Sequence, residues 1–135
     1  MGEDDDLRQD PPRPGEVWRV DFGEPDGHLA ALVHPAVVVS APEATWPEVR
    51  LVVPITELKE HRVHHVWMVE LRPRATNGLT KLSHADTSLV RAVNVDPACF
   101  LECLGSLGEP DLERVRRTLA LVLDIKADWR PRAGG

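Results

Sequence analysis

Two short apolar runs joined by a proline-rich link constrain this chain more than any other feature: Pro35 to Val39 and Leu51 to Ile55. Ser40 stops the first run abruptly and Thr56 stops the second. Valine-rich runs of this length, bounded by proline and polar residues, read as buried strands rather than helices. The link between them, APEATWPE, carries Pro42 and Pro47, which bar a helix from forming across it. Each run therefore brings a polar side chain to the rim of a core. His34 enters the first strand and Thr56 leaves the second, and whether those two meet decides what the rim can do.

The flanking segments repeat the strand pattern. In EVWRVDF, Trp18, Val20 and Phe22 alternate with Val17, Arg19 and Asp21, which predicts a strand beginning just after the Pro14-Gly15 turn. GEPDGHLAALV is a loop rising into the first apolar run. In VHHVWMVEL, His65, Trp67, Val69 and Leu71 alternate with Val66, Met68 and Glu70, a further strand in which Trp67, like Trp18, is expected in the core. RPRATNG is a loop with Asn77-Gly78 as its turn signal. A strand pair is expected within Leu82 to Val95, and CFLECLG gives one more. Only after Gly108 does the period become helical, with Leu112, Val115, Leu119, Val122 and Leu123 on one stripe and Pro110 in the first turn. That helix should end near Ile125. The expected fold is α+β: a small barrel of five to seven short strands that closes to hide its edges, with a C-terminal helix.

A chain of 135 residues suits one domain. The expected boundaries are a disordered acidic tail over 1–13, an ordered domain over 14–125 and a short tail over 126–135. The N-terminus is acidic and proline-rich, unlike a secretory signal, and no apolar run approaches the roughly 20 residues of a membrane span, so a cytoplasmic, membrane-free protein is expected. Cys99 and Cys103, four residues apart along a strand, share a face and are poorly placed to bond each other, which predicts a reduced core pair. Net charge is −6, but residues 1–10 account for −4 of it. The middle of the chain leans basic through Lys59, Arg62, Arg72, Arg74, Lys81 and Arg91, with His61, His64 and His65 interleaved. Those three histidines lack a CxxC or HExxH companion, so no metal and no other cofactor is expected.

The order RPGEVWRVDF, a glycine-containing loop, HPAVVVS, VVPIT, NGLTKLS, VRAV and a terminal helix resembles the PemK/MazF toxins, small endoribonucleases of bacterial toxin–antitoxin pairs. The resemblance runs from about Pro14 to Ile125. It implies an SH3-like barrel, a homodimer, neutralisation by a cognate antitoxin, and metal-free cleavage of single-stranded mRNA. In that reaction the RNA 2′-OH attacks the adjacent phosphate and leaves a 2′,3′-cyclic phosphate. The chemistry needs a base, an acid and donors to the phosphoryl oxygens. Carried onto this chain, the resemblance makes Thr56 a phosphate-oxygen donor and Arg91 an RNA contact. His34 stands where the family usually has arginine, and Ser88-Leu89 stands where it often has an acid–glutamine pair, with Asp86 two residues earlier.

The candidates are therefore His34 and His28 as proton carriers with Thr56 as their phosphate-binding companion, and Arg91, Ser88, Lys81, Arg74 and Trp46 as RNA contacts. Two imidazoles at the ends of one loop suffice for RNA transesterification, since each exchanges a proton near neutral pH. Trp46, in the proline-rich link, offers a stacking surface for a base. Each has a structural alternative: backbone hydrogen bonding for His34 and Thr56, solvation for His28, a surface ion pair for Arg91, loop anchoring for Trp46. A second functional reading keeps the fold and weakens the chemistry, leaving a module that binds nucleic acid or protein.

Overall fold

The computed structural model describes residues 10–23, 32–58, 64–126 and 128. Seven strands precede one helix: β1 (Glu16–Asp21), β2 (Val33–Val38), β3 (Val49–Glu57), β4 (Met68–Leu71), β5 (Ser83–Asp86), β6 (Arg91–Asn94), β7 (Phe100–Ser106) and α1 (Glu109–Val122). Short 3₁₀ turns occupy Pro42–Ala44 and Thr87–Leu89.

The nine-residue β3 organises the sheet. One of its edges pairs with β2, with Ala36 opposite Pro54 and Val38 opposite Val52. Its other edge is shared: Val49–Val52 pair with β6, and Ile55–Glu57 pair with β5. The division falls at Val53-Pro54, where a residue without an N–H suits an interrupted ladder. All six pairings are antiparallel, in the order β4-β5-β3-β2-β1-β7, with β6 on β3.

The α+β class, strand number and terminal helix match the sequence expectation, but the sheet is not closed into a barrel. Among the described residues, β4 and β7 end the path without pairing each other. The cause lies between β5 and β6, which do not form a hairpin. Asp86 caps the intervening 3₁₀ turn by accepting from the Ser88 N–H, and the turn returns the chain to the first half of β3. Among the described residues, no strand bridges the two ends.

Side-chain alternation gives the sheet two apolar faces. Trp18, Val20, Ala36, Val38, Val52, Val93 and Phe100 pack on one. Val17, Val37, Val53 and Ile55 pack on the other with Leu71, Ala85 and, from α1, Leu112 and Val115. Fully burying a valine such as Val115 contributes about 2 kcal/mol. The helix is held by its first half only. Leu121, Val122, Leu123 and Ile125 are exposed, because α1 outruns the four-residue β4 against which it lies.

Other details depart from the sequence reading. β4 begins only at Met68, since His65 and Trp67 stack their rings 4.3 Å apart in the preceding turn. That turn takes His64 and His65 out of strand geometry and leaves Trp67 half-buried. Cys99 lies in the turn before β7 and Cys103 is exposed on it; both are free thiols, but not a core pair. Register shifts between β1 and β7 disturb the alternation that would have buried Cys103. Asn77-Gly78 makes a tight loop turn against β7, where a Cβ on Gly78 would sit 2.2 Å from the Leu104 carbonyl oxygen. Pro12 is buried and its carbonyl is hydrogen-bonded, so packing already begins ahead of Pro14. Most of 1–13 and 126–135 lies outside the described residues.

Candidate functional site

The strand register puts the two polar ends on one face of the sheet. Val20 of β1 lies opposite His34 of β2, so His34 shares a face with Trp18, Val20 and Ala36. The β2–β3 ladder pairs Ala36 with Pro54. Two residues outward on the same face are His34 and Thr56. On the next strand, Thr56 lies opposite His84, with Thr56 Oγ1 and His84 Nε2 at hydrogen-bonding distance, 3.1 Å. His34, Thr56 and His84 thus form a row across β2, β3 and β5. The first two are half-buried, and His84 is only 1% exposed.

The row continues toward β1 and β6. Phe22, just past the end of β1, places its ring centroid 6.3 Å from that of His34. The Arg91 guanidinium carbon lies 5.2 Å from the Phe22 centroid, a cation–π contact that seats a permanent charge beside the row. Next to it is a hollow of about 420 Å³ lined by Asp21, Phe22, Gly23, Arg91, Asn94 and Cys99, among others. Burial, and to a lesser degree the carboxylates of Asp96 and Asp21, push the Cys99 thiol above its ordinary range, so it stands there as a neutral thiol. The arrangement assembles a cation, a hydroxyl and two imidazoles. Those are donors for an anionic oxygen and carriers for a proton.

The remaining candidates fare unevenly. His28 lies outside the described residues. Ser88 is exposed in the 3₁₀ turn, with its hydroxyl donating to Asp86 Oδ1 at 2.5 Å. Asp86 is thus occupied as a cap, although its position two residues from His84 puts it on the same strand face. Lys81 is exposed and faces Glu57 Oε2 at 3.5 Å. Arg74 lines a separate hollow with Glu70, Arg72, Asp111 and Arg114. Trp46 is 75% exposed, but it precedes the start of β3. At roughly 3.3 Å per residue, the seven steps from Val49 to Thr56 span about 23 Å. Trp46 therefore does not join the row within one chain.

His84 is the residue that sequence reasoning missed. Its neighbours Ser83, Ala85 and Asp86 look like an ordinary short strand. The signal is alternation, which puts His84 on the face away from Ala85, and it becomes informative only once β5 is known to pair with the end of β3. Among the described residues, no three His, Cys, Asp or Glu side chains are grouped as metal ligands, and no helix is long and apolar enough to cross a membrane.

Comparison with known proteins identifies the family and the fold. Residues 13–123 match the family described as PemK-like, MazF-like toxin of type II toxin–antitoxin system. No curated protein matches the chain. Among solved structures, MazF from Deinococcus radiodurans superposes with a TM-score of 0.65 at 20% identity, covering 87% of this chain and 100% of that one. An endoribonuclease in complex with its cognate antitoxin, from a Mycobacterial species, gives 0.64 at 18% identity, covering 88% and 99%. The Mycobacterium tuberculosis toxin MazF-mt6 gives 0.61 at 16% identity, covering 84% and 99%. At these identities the structural likeness is one of fold, while the family match spans nearly the whole described domain. The chain belongs to the PemK-like, MazF-like toxin family of type II toxin–antitoxin systems.

Proposed function

We propose that this protein is a metal-independent endoribonuclease that cuts single-stranded RNA, with the row from Arg91 to His34 and Thr56 as its reaction face. The observation that supports the reading is that His34 and Thr56 share one sheet face, each two residues beyond the Ala36–Pro54 pair, with Arg91 over Phe22 near His34. In this mechanism an imidazole takes the proton from the 2′-OH, whose oxygen attacks the adjacent phosphorus. The P–O5′ bond breaks, the departing oxygen gains a proton, and a 2′,3′-cyclic phosphate and a 5′-OH remain. His34 serves as one proton carrier and His28 as the other. Thr56 donates to a phosphoryl oxygen, and Arg91 offsets the phosphate charge as it builds. The hollow beside Arg91 and Phe22 accommodates a flanking base.

Family membership supports the wider setting, in which a homodimeric, cytoplasmic toxin is held inactive by its cognate antitoxin. An acidic antitoxin tail crossing the same face would satisfy Arg91 in place of RNA. A second reading, a binding module with weakened chemistry, is favoured by one observation. The basic residues do not converge, since Lys81 faces Glu57 and Arg74 lies beside Asp111 and Glu70.

Incubating the purified protein with a long single-stranded RNA in EDTA, then mapping the ends, separates the two. Discrete cuts with cyclic-phosphate termini, lost in His34→Ala, are expected. Intact RNA from a correctly folded protein would overturn the enzyme reading in favour of the binding module.

A further inference from the structure

We infer that His84 is a positioning residue for Thr56: its Nε2–H donates to Thr56 Oγ1 and so leaves the threonine's own proton for a phosphoryl oxygen. The inference rests on the reading of this face as an RNA site and extends it to a residue that touches no substrate.

A threonine hydroxyl has one proton to give and two lone pairs with which to accept. At 3.1 Å, Thr56 Oγ1 and His84 Nε2 share one hydrogen bond, and its direction decides what Thr56 presents outward. If His84 donates, the Thr56 proton is free to rotate toward an anionic oxygen. If Nε2 is bare, Thr56 spends its proton on His84 and shows the substrate only lone pairs, which repel phosphate. The chemistry proposed for Thr56 therefore requires the protonated Nε2.

The position allows little else. His84 is a rung partner of Thr56 and is 1% exposed, so it meets RNA only through the threonine. The hydroxyl sits on a β-branched side chain with a restricted χ1, so fixing Oγ1 from within the sheet fixes the donor's aim. Glu70 lies opposite His84 on β4, and Asp86 lies two residues along β5, so its own strand and both neighbouring strands set polar side chains on its face.

Two measurements test the inference. Long-range ¹H–¹⁵N NMR of the full chain, alone and with a 2′-O-methyl RNA oligonucleotide that cannot be cleaved, reports the His84 tautomer directly. A protonated Nε2 in the bound state is expected, and a bare Nε2 overturns the inference whether or not the protein cleaves RNA. For cleavage, His84→Leu is expected to lower kcat about tenfold, the scale of one hydrogen bond, with KM nearly unchanged. His84→Gln, which keeps an N–H donor of similar reach, should hold kcat within about threefold of wild type. The His84→Leu loss should also vanish in a Thr56→Val background, since the two act through one bond. Equal loss in the Leu and Gln variants, or losses that add to that of Thr56→Val, would assign His84 to packing. If wild-type protein leaves RNA intact, the cleavage proposal fails by itself and the tautomer still decides the role of His84.

Discussion

The two ends of β3 each carry a polar side chain, Arg50 at the start and Thr56 at the finish, and these are partnered in opposite ways. At the start, Arg50 is 2% exposed and spends its guanidinium on main-chain carbonyls: Nε donates to Pro12 O at 2.9 Å, and one terminal nitrogen donates to Val49 O at 2.8 Å and Pro47 O at 3.2 Å. Nearby, Ser40 Oγ accepts from the Leu51 N–H and Thr45 Oγ1 donates to Val49 O. These bonds tie the N-terminal segment and the proline-rich link onto one strand end. At the other end, Thr56 and His34 are half-buried; Thr56 is hydrogen-bonded to His84, and Phe22 lies between His34 and Arg91. Burial differs between the ends, and so do the partners. A cation aimed at the protein's own carbonyls is a structural clamp, whereas a half-buried hydroxyl and imidazole on the sheet's rim are what the proposed reaction uses.

The clamp supplies the largest effect. Arg50→Met should destabilise the protein by about 3 kcal/mol, because the Pro12 and Pro47 carbonyls lose this donor and Val49 O keeps only Thr45, in a place that water enters poorly. For a domain of this size that corresponds to a fall in Tm of roughly 12 °C. Arg50→Lys, which keeps the charge but not the fork, should recover part of it. Thermal unfolding checks both, and RNA cleavage by the fraction that stays folded at low temperature should match wild type. A Tm unchanged within about 2 °C would show that the two ends do not differ as described.

Thr56→Val tests the other end with nearly the same shape. It should change stability by no more than about 1 kcal/mol while lowering kcat for RNA cleavage about a hundredfold, the scale of about 2.7 kcal/mol in the transition state. Comparing cleavage rates with urea unfolding separates the two quantities. A variant that lost stability but not rate would move Thr56 into the clamp's category.

How far these ends were legible in the sequence follows from what each depends on. β-branched runs, proline breaks and the change of period after Gly108 are local, so β1, β2, β3 and α1 were readable within a few residues, and family resemblance supplied the role expected of Thr56. Closure of the barrel was not readable, because it depends on where β6 pairs after the Asp86-capped turn. Arg50 and His84 were invisible for the same reason. Arg50 looks like a polar residue flanking a strand until its bonds to Pro12 and Pro47 are known, and His84 gains meaning only from its rung with Thr56. Local pattern reveals which residues are polar; register reveals which of them meet.

Arg91 should give a smaller effect than Thr56, because its charge acts from the margin of the row. Arg91→Gln is expected to weaken binding of a non-cleavable single-stranded oligonucleotide about tenfold at low salt. It should also reduce the slope of log K against log salt by about 0.7, the share of one phosphate contact. Filter binding across a salt series measures both. An unchanged slope would mean that the guanidinium serves Phe22 and its other neighbours within the fold rather than a phosphate.

Trp46 should give the smallest effect, and it sharpens the contrast between the ends most cleanly. It is the most exposed large apolar side chain described, yet it belongs to the link that Arg50 clamps, roughly 23 Å along β3 from Thr56. Trp46→Ala should shift stability by no more than about 0.5 kcal/mol, as surface substitutions usually do. If RNA follows only the His34–Thr56 end, cleavage of a short oligonucleotide should stay within about twofold of wild type. Stacking of a base on an aromatic ring is worth about 1–3 kcal/mol, so a loss of tenfold or more would place the RNA against the clamp end as well. Repeating the assay with progressively longer oligonucleotides tells these cases apart: a Trp46 effect that appears only above a threshold length means that the strand runs along β3 from one end to the other.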